Sequence, residues 1–266
     1  MNFRIIRALM LRHIYVNMRT PLRFVELIFW PLVDLLIWGF LVVHLRNIGQ
    51  GSGHANMYYL IGGMLLWDVT FRCQQGVAIS FLEDVWRRNL LNVFVAPVRM
   101  PEYIIAGFGV GFVRICITGA VMTITALLGY KFNMFTATQV WLIPFFLNVV
   151  FFGWVLGLFT TALLFRWGHA AEVLAWAVPF FIQPIAAVFY PVSVLPAWVQ
   201  PISHALPISH VFEAMRGLLN GQPPAWDSMA WAFGLNVIYM ILVAIFFAFM
   251  LKSVRERGLL AKVAST

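Results

Sequence analysis

Charge is scarce in this chain. Asp, Glu, Lys and Arg make up 11% of 266 residues and hydrophobic residues 62%, against about 25% and about 45–50% in soluble domains. A soluble core of this length cannot bury so much apolar surface, so the chain reads as a membrane protein. Cysteine is almost absent. Cys73 and Cys116 both fall in apolar stretches, which indicates neither a disulfide framework nor a zinc site. The N-terminal region, with five arginines between Met1 and Arg23, has no apolar core followed by a cleavable small-residue site, so no signal peptide is expected. No glycine-rich loop ends in Gly-Lys-Ser/Thr, and neither G-x-S-x-G nor H-E-x-x-H occurs. Glu83-Asp84 is the only adjacent acidic pair, and it sits among arginines. No catalytic site and no bound cofactor or metal are therefore expected in this chain. No soluble domain, low-complexity tract or clear internal repeat is visible either.

What the chain does hold is six apolar stretches, at about 24–45, 57–80, 102–130, 139–165, 172–190 and 229–251, each near the roughly 20 residues a bilayer core requires. The net charge of +8 is scattered over termini and loops, which argues against a nucleic-acid partner and for positive-inside topology. With the N-terminus inside, the inner segments hold Arg4, Arg7, Arg12, Arg19, Arg23, Arg87, Arg88, Arg99, Arg166, Lys252, Arg255, Arg257 and Lys262; the outer segments hold only Arg46, Lys131 and Arg216. Both termini are thus expected in the cytoplasm. Residues 2–20 read as a helix lying on the membrane: Arg4, Arg7, Arg12 and Arg19 fall within an arc of roughly 140°, with Phe3, Ile6, Leu9 and Met10 outside it. Such a helix either only sets topology or also touches a cytoplasmic partner.

The polar stretch Leu82 to Tyr103, LEDVWRRNLLNVFVAPVRMPEY, interrupts two hydrophobic blocks and carries Glu83, Asp84, Arg87, Arg88, Arg99 and Glu102. The topology places it at the inner membrane surface. Asp34, Asp68, Arg72 and Arg114 lie inside spans, at a depth where a lone charge costs about 2.5–3.5 kcal/mol or more, so mutual neutralisation is expected. Asp68 and Arg72, spaced i, i+4, pair on one helix face. They are either a packing pair, a polar lining for a substrate path, or part of a proton relay. Prolines at 179, 184, 191, 196, 201 and 207 forbid one continuous helix. After a span ending near Tyr190, residues 191–219 read as short helices dipping back into the outer leaflet. Glu213 and Arg216 are spaced i, i+3 there, and His204 and His210 lack the spacing of a metal site.

These residues carry a resemblance. FLEDVWRRNLLNVFVAPVRMPEY is similar to the inner loop of type-2 ABC exporter permeases: an acid, an aromatic, an Asn-Leu pair, then Pro before the third span. FYPVSVLPAWVQPISHALPISHVFEAMRG resembles the family's outer signature, which closes on Glu-Ala-x-Arg-Gly. The class includes polysaccharide, nodulation-factor and drug-resistance exporters. The resemblance implies an all-α membrane protein with six transmembrane helices. An N-terminal amphipathic interfacial helix would precede them, and short re-entrant outer helices would lie between spans five and six. It implies a single transmembrane domain over 1–266, with a connecting helix at 1–23, a coupling loop at 82–101 and an outer segment at 191–219. Leu82 to Leu91 would dock on a separate ABC ATPase, with Glu83, Asp84, Arg87, Arg88 and Asn89 as polar contacts and Trp86 and Leu90 as the apolar anchor. Arg4, Arg7 and Arg12 would touch the same partner, as would the loop from Arg166 to Glu172. Tyr190, Pro191, Pro196, Glu213 and Arg216 would form an outer gate. Two copies of this chain and two ATPase subunits, which would bind ATP and Mg, would move an amphiphilic or glycan substrate out of the inner membrane in contact with membrane lipid. Trp67, Phe71, Phe180, Phe181, Phe189 and Tyr190 are aromatic candidates for the path. A secondary transporter or a membrane assembly factor working without an ATPase is the alternative.

Overall fold

The computed structural model describes residues 1–19, 21–48, 54–223 and 226–256, and among them every regular element is helical. Eleven α-helices occur among the described residues: α1 (Phe3–Met18), α2 (Pro21–Ile48), α3 (His54–Trp86), α4 (Leu90–Val95), α5 (Met100–Tyr130), α6 (Met134–Thr138), α7 (Leu142–Trp167), α8 (Glu172–Ile185), α9 (Gln200–Ala205), α10 (Pro207–Leu219) and α11 (Trp226–Glu256). Most of the Asn47–Gly53 link, together with Arg257 and Lys262, lies outside the described residues.

Local chemistry sets most boundaries. Pro21 opens α2, where a missing N–H is harmless. Glu102 Oε2 accepts from Arg99 N at 3.0 Å at the start of α5, with Pro101 in the first turn. Asn133 caps α6 by accepting from Phe135 N and Thr136 N. Proline and backbone strain end the regular structure after α8. Pro179 and Pro184 lie inside that helix, Ala187 takes a left-handed φ of +54°, and only short turns follow until α9.

Among the described residues, four stretches are long and apolar enough to cross a membrane: Val25–His44, Met100–Tyr130, Met134–Trp167 and Trp226–Val254. Two of the six expected spans differ. The expected fifth, 172–190, ends as a helix at Ile185. Its 14 residues reach about 21 Å, short of a roughly 30 Å hydrocarbon core. The expected second lies in α3, whose 33 residues are long enough, but Asp68, Arg72, Gln74 and Gln75 make it too polar. The packing explains that composition. α3 lies against α7 and α5 and also touches α2, α8 and α10, and from Leu60 to Val85 nearly every residue is buried. A helix surrounded by protein need not be apolar all round.

The contacts that bury α3 are made at backbone distance. A Cβ added to Gly76 would stand 2.3 Å from Gly111 Cα on α5, and one added to Gly153 on α7 would stand 2.6 Å from Thr70 O. Gly107-x-x-x-Gly111 and Gly153-x-x-x-Gly157 are thus two small-residue stripes gripping α3 from opposite helices. Between membrane helices, close packing of this kind replaces the hydrophobic drive that lipid cannot supply. Side-chain bonds add to it: Thr70 Oγ1 donates to Val149 O at 3.2 Å, Gln74 Nε2 to Ala175 O at 3.0 Å, and Asn236 Nδ2 of α11 to Asn148 Oδ1 of α7 at 3.1 Å. Two buried clusters result. One, with Leu35, Ile61, Phe152 and Phe212, lies at the α10 end. The other, with Ile6, Leu9, Phe81 and Phe165, lies at the α1 end.

Candidate functional site

A half-open groove of about 860 Å³ runs between α2, α3, α5 and α8. On α3 its lining extends from Met64 to Trp86, which is about 33 Å at 1.5 Å per residue. All four charged residues that the sequence places inside spans line it: Asp34 from α2, Asp68 and Arg72 from α3, Arg114 from α5. Arg72 Nε donates to Asp68 Oδ1 at 3.1 Å, and Arg72 Nη1 to Gln75 Oε1 at 3.2 Å. The Arg72 guanidinium also lies 5.5 Å from the centre of the Phe71 ring. Arg114 turns instead towards the α1 end, with Nη2 3.7 Å from Glu83 Oε1. Asp34 stays exposed to the groove, within electrostatic reach of Asp68 and Arg72. Of the aromatic path candidates, Trp67, Phe71, Phe180 and Phe189 line the groove, while Phe181 and Tyr190 do not; Trp30, Trp38 and Trp176 complete the wall.

The groove meets a buried polar network at the end of α3. Glu83 and Asp84 are each 3% exposed. Arg12 Nη2 of α1 donates to Asp84 Oδ1 at 2.7 Å, Tyr103 OH of α5 donates to Asp84 Oδ2 at 2.7 Å, and His13 Nδ1 lies 3.8 Å from Glu83 Oε2. The two acids therefore hold α1, α3 and α5 together. Glu83 and Asp84, expected as docking contacts, are thus both buried among these three helices. The docking stretch expected over Leu82 to Leu91 is divided between two helices. Leu82 to Trp86 is the last turn of α3, and α4 starts at Leu90. Between them Arg88 takes φ +52°, with Arg88 N donating to Val85 O at 2.9 Å and Asn89 N to Asp84 O at 2.9 Å. That is a left-handed helix stop of the kind glycine usually makes.

Outward-facing groups gather around this stop. Trp86, 39% exposed, donates from Nε1 to Glu172 Oε2 at 3.2 Å, so the first turn of α8 stands beside the end of α3. Arg87 and Arg88 are exposed, as are Arg4 and Arg7 on α1; Asn89 is half-buried. Arg166 is half-buried beside α11, 3.4 Å from Ser253 Oγ. The side chain of Leu90 lies outside the described residues. On α1, Ile6 and Leu9 pack inward, whereas Phe3, expected to share their face, is exposed.

At the opposite end, α10 clasps the broken backbone after α8. Arg216 is buried and donates from Nη1 to Ala187 O at 2.9 Å and from Nη2 to Glu213 Oε1 at 2.9 Å; Val192 N donates to Glu213 Oε1 at 2.7 Å. Tyr190 OH donates to Pro184 O at 2.8 Å. Pro191 closes this turn, and Pro196 begins the next, accepting at its carbonyl from Val199 N at 2.8 Å. His210 Nε2 lies 2.8 Å from His204 O, and no metal-binding group occurs among the described residues. The sequence reading missed three features. The glycine stripes were visible as GFGVG and GWVLG, and Tyr103 as the partner of Asp84 had no local signal. The acid Glu26, which joins Asp34 in the groove wall, was visible only as a charge near the start of a span.

The ABC-2 type transporter family matches residues 4–220. Over 213 residues the chain is 26% identical to the inner membrane transport permease YadH of Escherichia coli K12, covering 73% of this chain and 74% of that protein. The YadH permeases of Escherichia coli O157:H7 and Shigella flexneri match to the same extent.

Proposed function

The chain belongs to the ABC-2 type transporter family, and from that premise we propose that it is the membrane half of an ATP-driven exporter of amphiphiles. Two copies form the path, and two separate ATPase subunits, which bind ATP and Mg, supply the energy. The observation that carries this is the groove. It is as long as a hydrocarbon core is thick, and charged groups and aromatic rings both line it. A surface of both kinds holds a molecule with a polar head and an apolar body. α3, and α8 with the turns after it, supply the two remaining crossings of a six-span bundle with both termini in the cytoplasm of an inner-membrane protein. Residues 1–23, 82–101 and 191–219 are its connecting, coupling and outer segments, the last re-entrant.

The ATPase docks on Trp86, Arg87, Arg88, Asn89 and Leu90, with Arg4 and Arg7 on one flank and Arg166 and Glu172 on the other. Glu83 and Asp84 stand directly behind that surface. A push on the stop after α3 reaches α1 through Arg12 and reaches the groove through Glu83 and Arg114. Tyr190, Pro191, Pro196, Glu213 and Arg216 hold the outer end. A nucleotide-dependent difference in how the ATPase grips this surface is what shifts the path between its two openings. Purification in mild detergent, followed by ATP-dependent efflux from proteoliposomes, tests the reading. Retention of an ATPase subunit and strict ATP dependence are expected. A chain that elutes without an ATPase and moves cargo unaided would sink it.

A further inference from the structure

Among the described residues, the charges lining the groove do not balance. Glu26, Asp34, Asp68 and Glu83, four of the chain's ten carboxylates, face two guanidiniums, Arg72 and Arg114. Arg72 is engaged by Asp68 at 3.1 Å, and Arg114 lies 3.7 Å from Glu83. The acids of α2 are left over. Neither Glu26 nor Asp34 has an ion-pair partner among the described residues, and both are exposed to the groove. They stand eight residues apart on α2, about 12 Å along its axis, with Trp30 between them.

A second observation is independent of those acids. Gln75 is 4% exposed and lines the groove. Its Oε1 accepts from Arg72, but its Nε2 has no hydrogen-bond partner. Buried amide donors are normally satisfied, so this one asks for an acceptor from whatever fills the groove.

We propose that the groove binds an amphiphilic organic cation, its positive centre against Asp34, its rings against Trp30, Trp67, Phe71 and Phe180, and a carbonyl or ether oxygen on Gln75 Nε2. The inference rests on the reading of this groove as the substrate path and names the class of molecule that path takes. Aromatic faces attract cations, more strongly where water is excluded. An anionic head, such as the phosphate of a lipid-linked glycan, would meet an excess of negative charge here.

Equilibrium dialysis of labelled tetraphenylphosphonium against the full chain in nanodiscs, with empty nanodiscs subtracted, tests this. Saturable binding is expected, displaced by unlabelled tetraphenylphosphonium but not by tetraphenylborate, which has the same shape and the opposite charge. Asp34→Asn is expected to weaken binding about tenfold or more, and Asp34→Glu to restore it. Phenacyltriphenylphosphonium carries a ketone; Gln75→Leu should weaken its binding and leave that of tetraphenylphosphonium unchanged. Displacement by the borate as effective as by the phosphonium would overturn the proposal. So would unchanged affinity in an Asp34→Asn chain that elutes like the parent. The assay contains neither ATP nor ATPase. Cation binding by a chain that retains no ATPase refutes only the exporter reading, and an ATPase-retaining chain that prefers the borate refutes only this inference.

Discussion

Arg12 and Asp84 lie 72 positions apart in sequence, and the guanidinium of one donates to both carboxylate oxygens of the other. The bond joins α1 to the last turn of α3. Asp84 is buried and Arg12 partly exposed. Removing the arginine leaves a buried carboxylate held only by Tyr103 and a distant His13. Arg12→Ala is expected to cost about 1–3 kcal/mol, between the values for exposed and buried pairs. Asp84→Asn should cost less when Arg12 is already Ala. A double-mutant cycle on thermal unfolding in detergent measures the coupling, and additive losses would deny it.

The proposed docking surface makes a sharper prediction, because its residues differ in exposure. Arg87→Glu with Arg88→Glu should leave the bundle's melting temperature unchanged and abolish co-purification of the ATPase. Trp86→Ala should weaken the complex by about 2 kcal/mol or more, roughly thirtyfold in affinity. Affinity measured by surface plasmon resonance on nanodiscs reads both. A complex that survives the charge reversal would place the docking site elsewhere.

The glycine stripes predict where small changes are large. Gly76→Ala pushes a methyl to 2.3 Å from the backbone of Gly111, and Gly153→Ala brings one to 2.6 Å from Thr70 O. Overpacking against backbone, which cannot rotate away, is expected to cost about 1–3 kcal/mol each. Gly119 and Gly234 have nothing within 4 Å of the added methyl. There the same substitution should gain about 0.5–1 kcal/mol of helix stability. Melting curves of the four single variants rank them, and equal effects would refute the close approach of α3 to α5 and α7.

The outer clasp predicts opposite effects at two neighbouring sites. Ala187 sits at φ +54°, so Ala187→Gly is expected to stabilise the turn by about 1 kcal/mol. Arg216→Ala removes the donor to Ala187 O and the partner of Glu213. It should loosen residues 187–192, seen as faster alkylation of a cysteine placed at Val192, which is buried in the parent. Unaltered alkylation in the Arg216→Ala chain would show that the clasp does not hold that turn.

Much of the fold was legible along the chain. Composition alone specifies a membrane protein, the roughly 20-residue apolar stretches point to helices, and proline spacing places the broken segment after α8. The i, i+4 spacing of Asp68 and Arg72 foretells their bond, because both lie on one helix and the geometry is local. The site was less legible. Glu83 and Asp84 read as surface acids beside arginines, yet α3 continues through them and α1 and α5 close over them. Their partners, Arg12, Tyr103 and Arg114, are each 19 or more positions away.

The sequence by itself determined which solvent this chain lives in, since 62% hydrophobic residues and 11% charged ones leave no aqueous alternative. It also determined which stretches are helical, since proline, capping residues and apolar length act within a few residues of one another. Only the tertiary structure decided which helix is enclosed, which acids are neutralised, and that Glu26 and Asp34 are left facing a groove. Those outcomes depend on the distance between charges on different helices, and glycine contacts far apart in the chain set that distance.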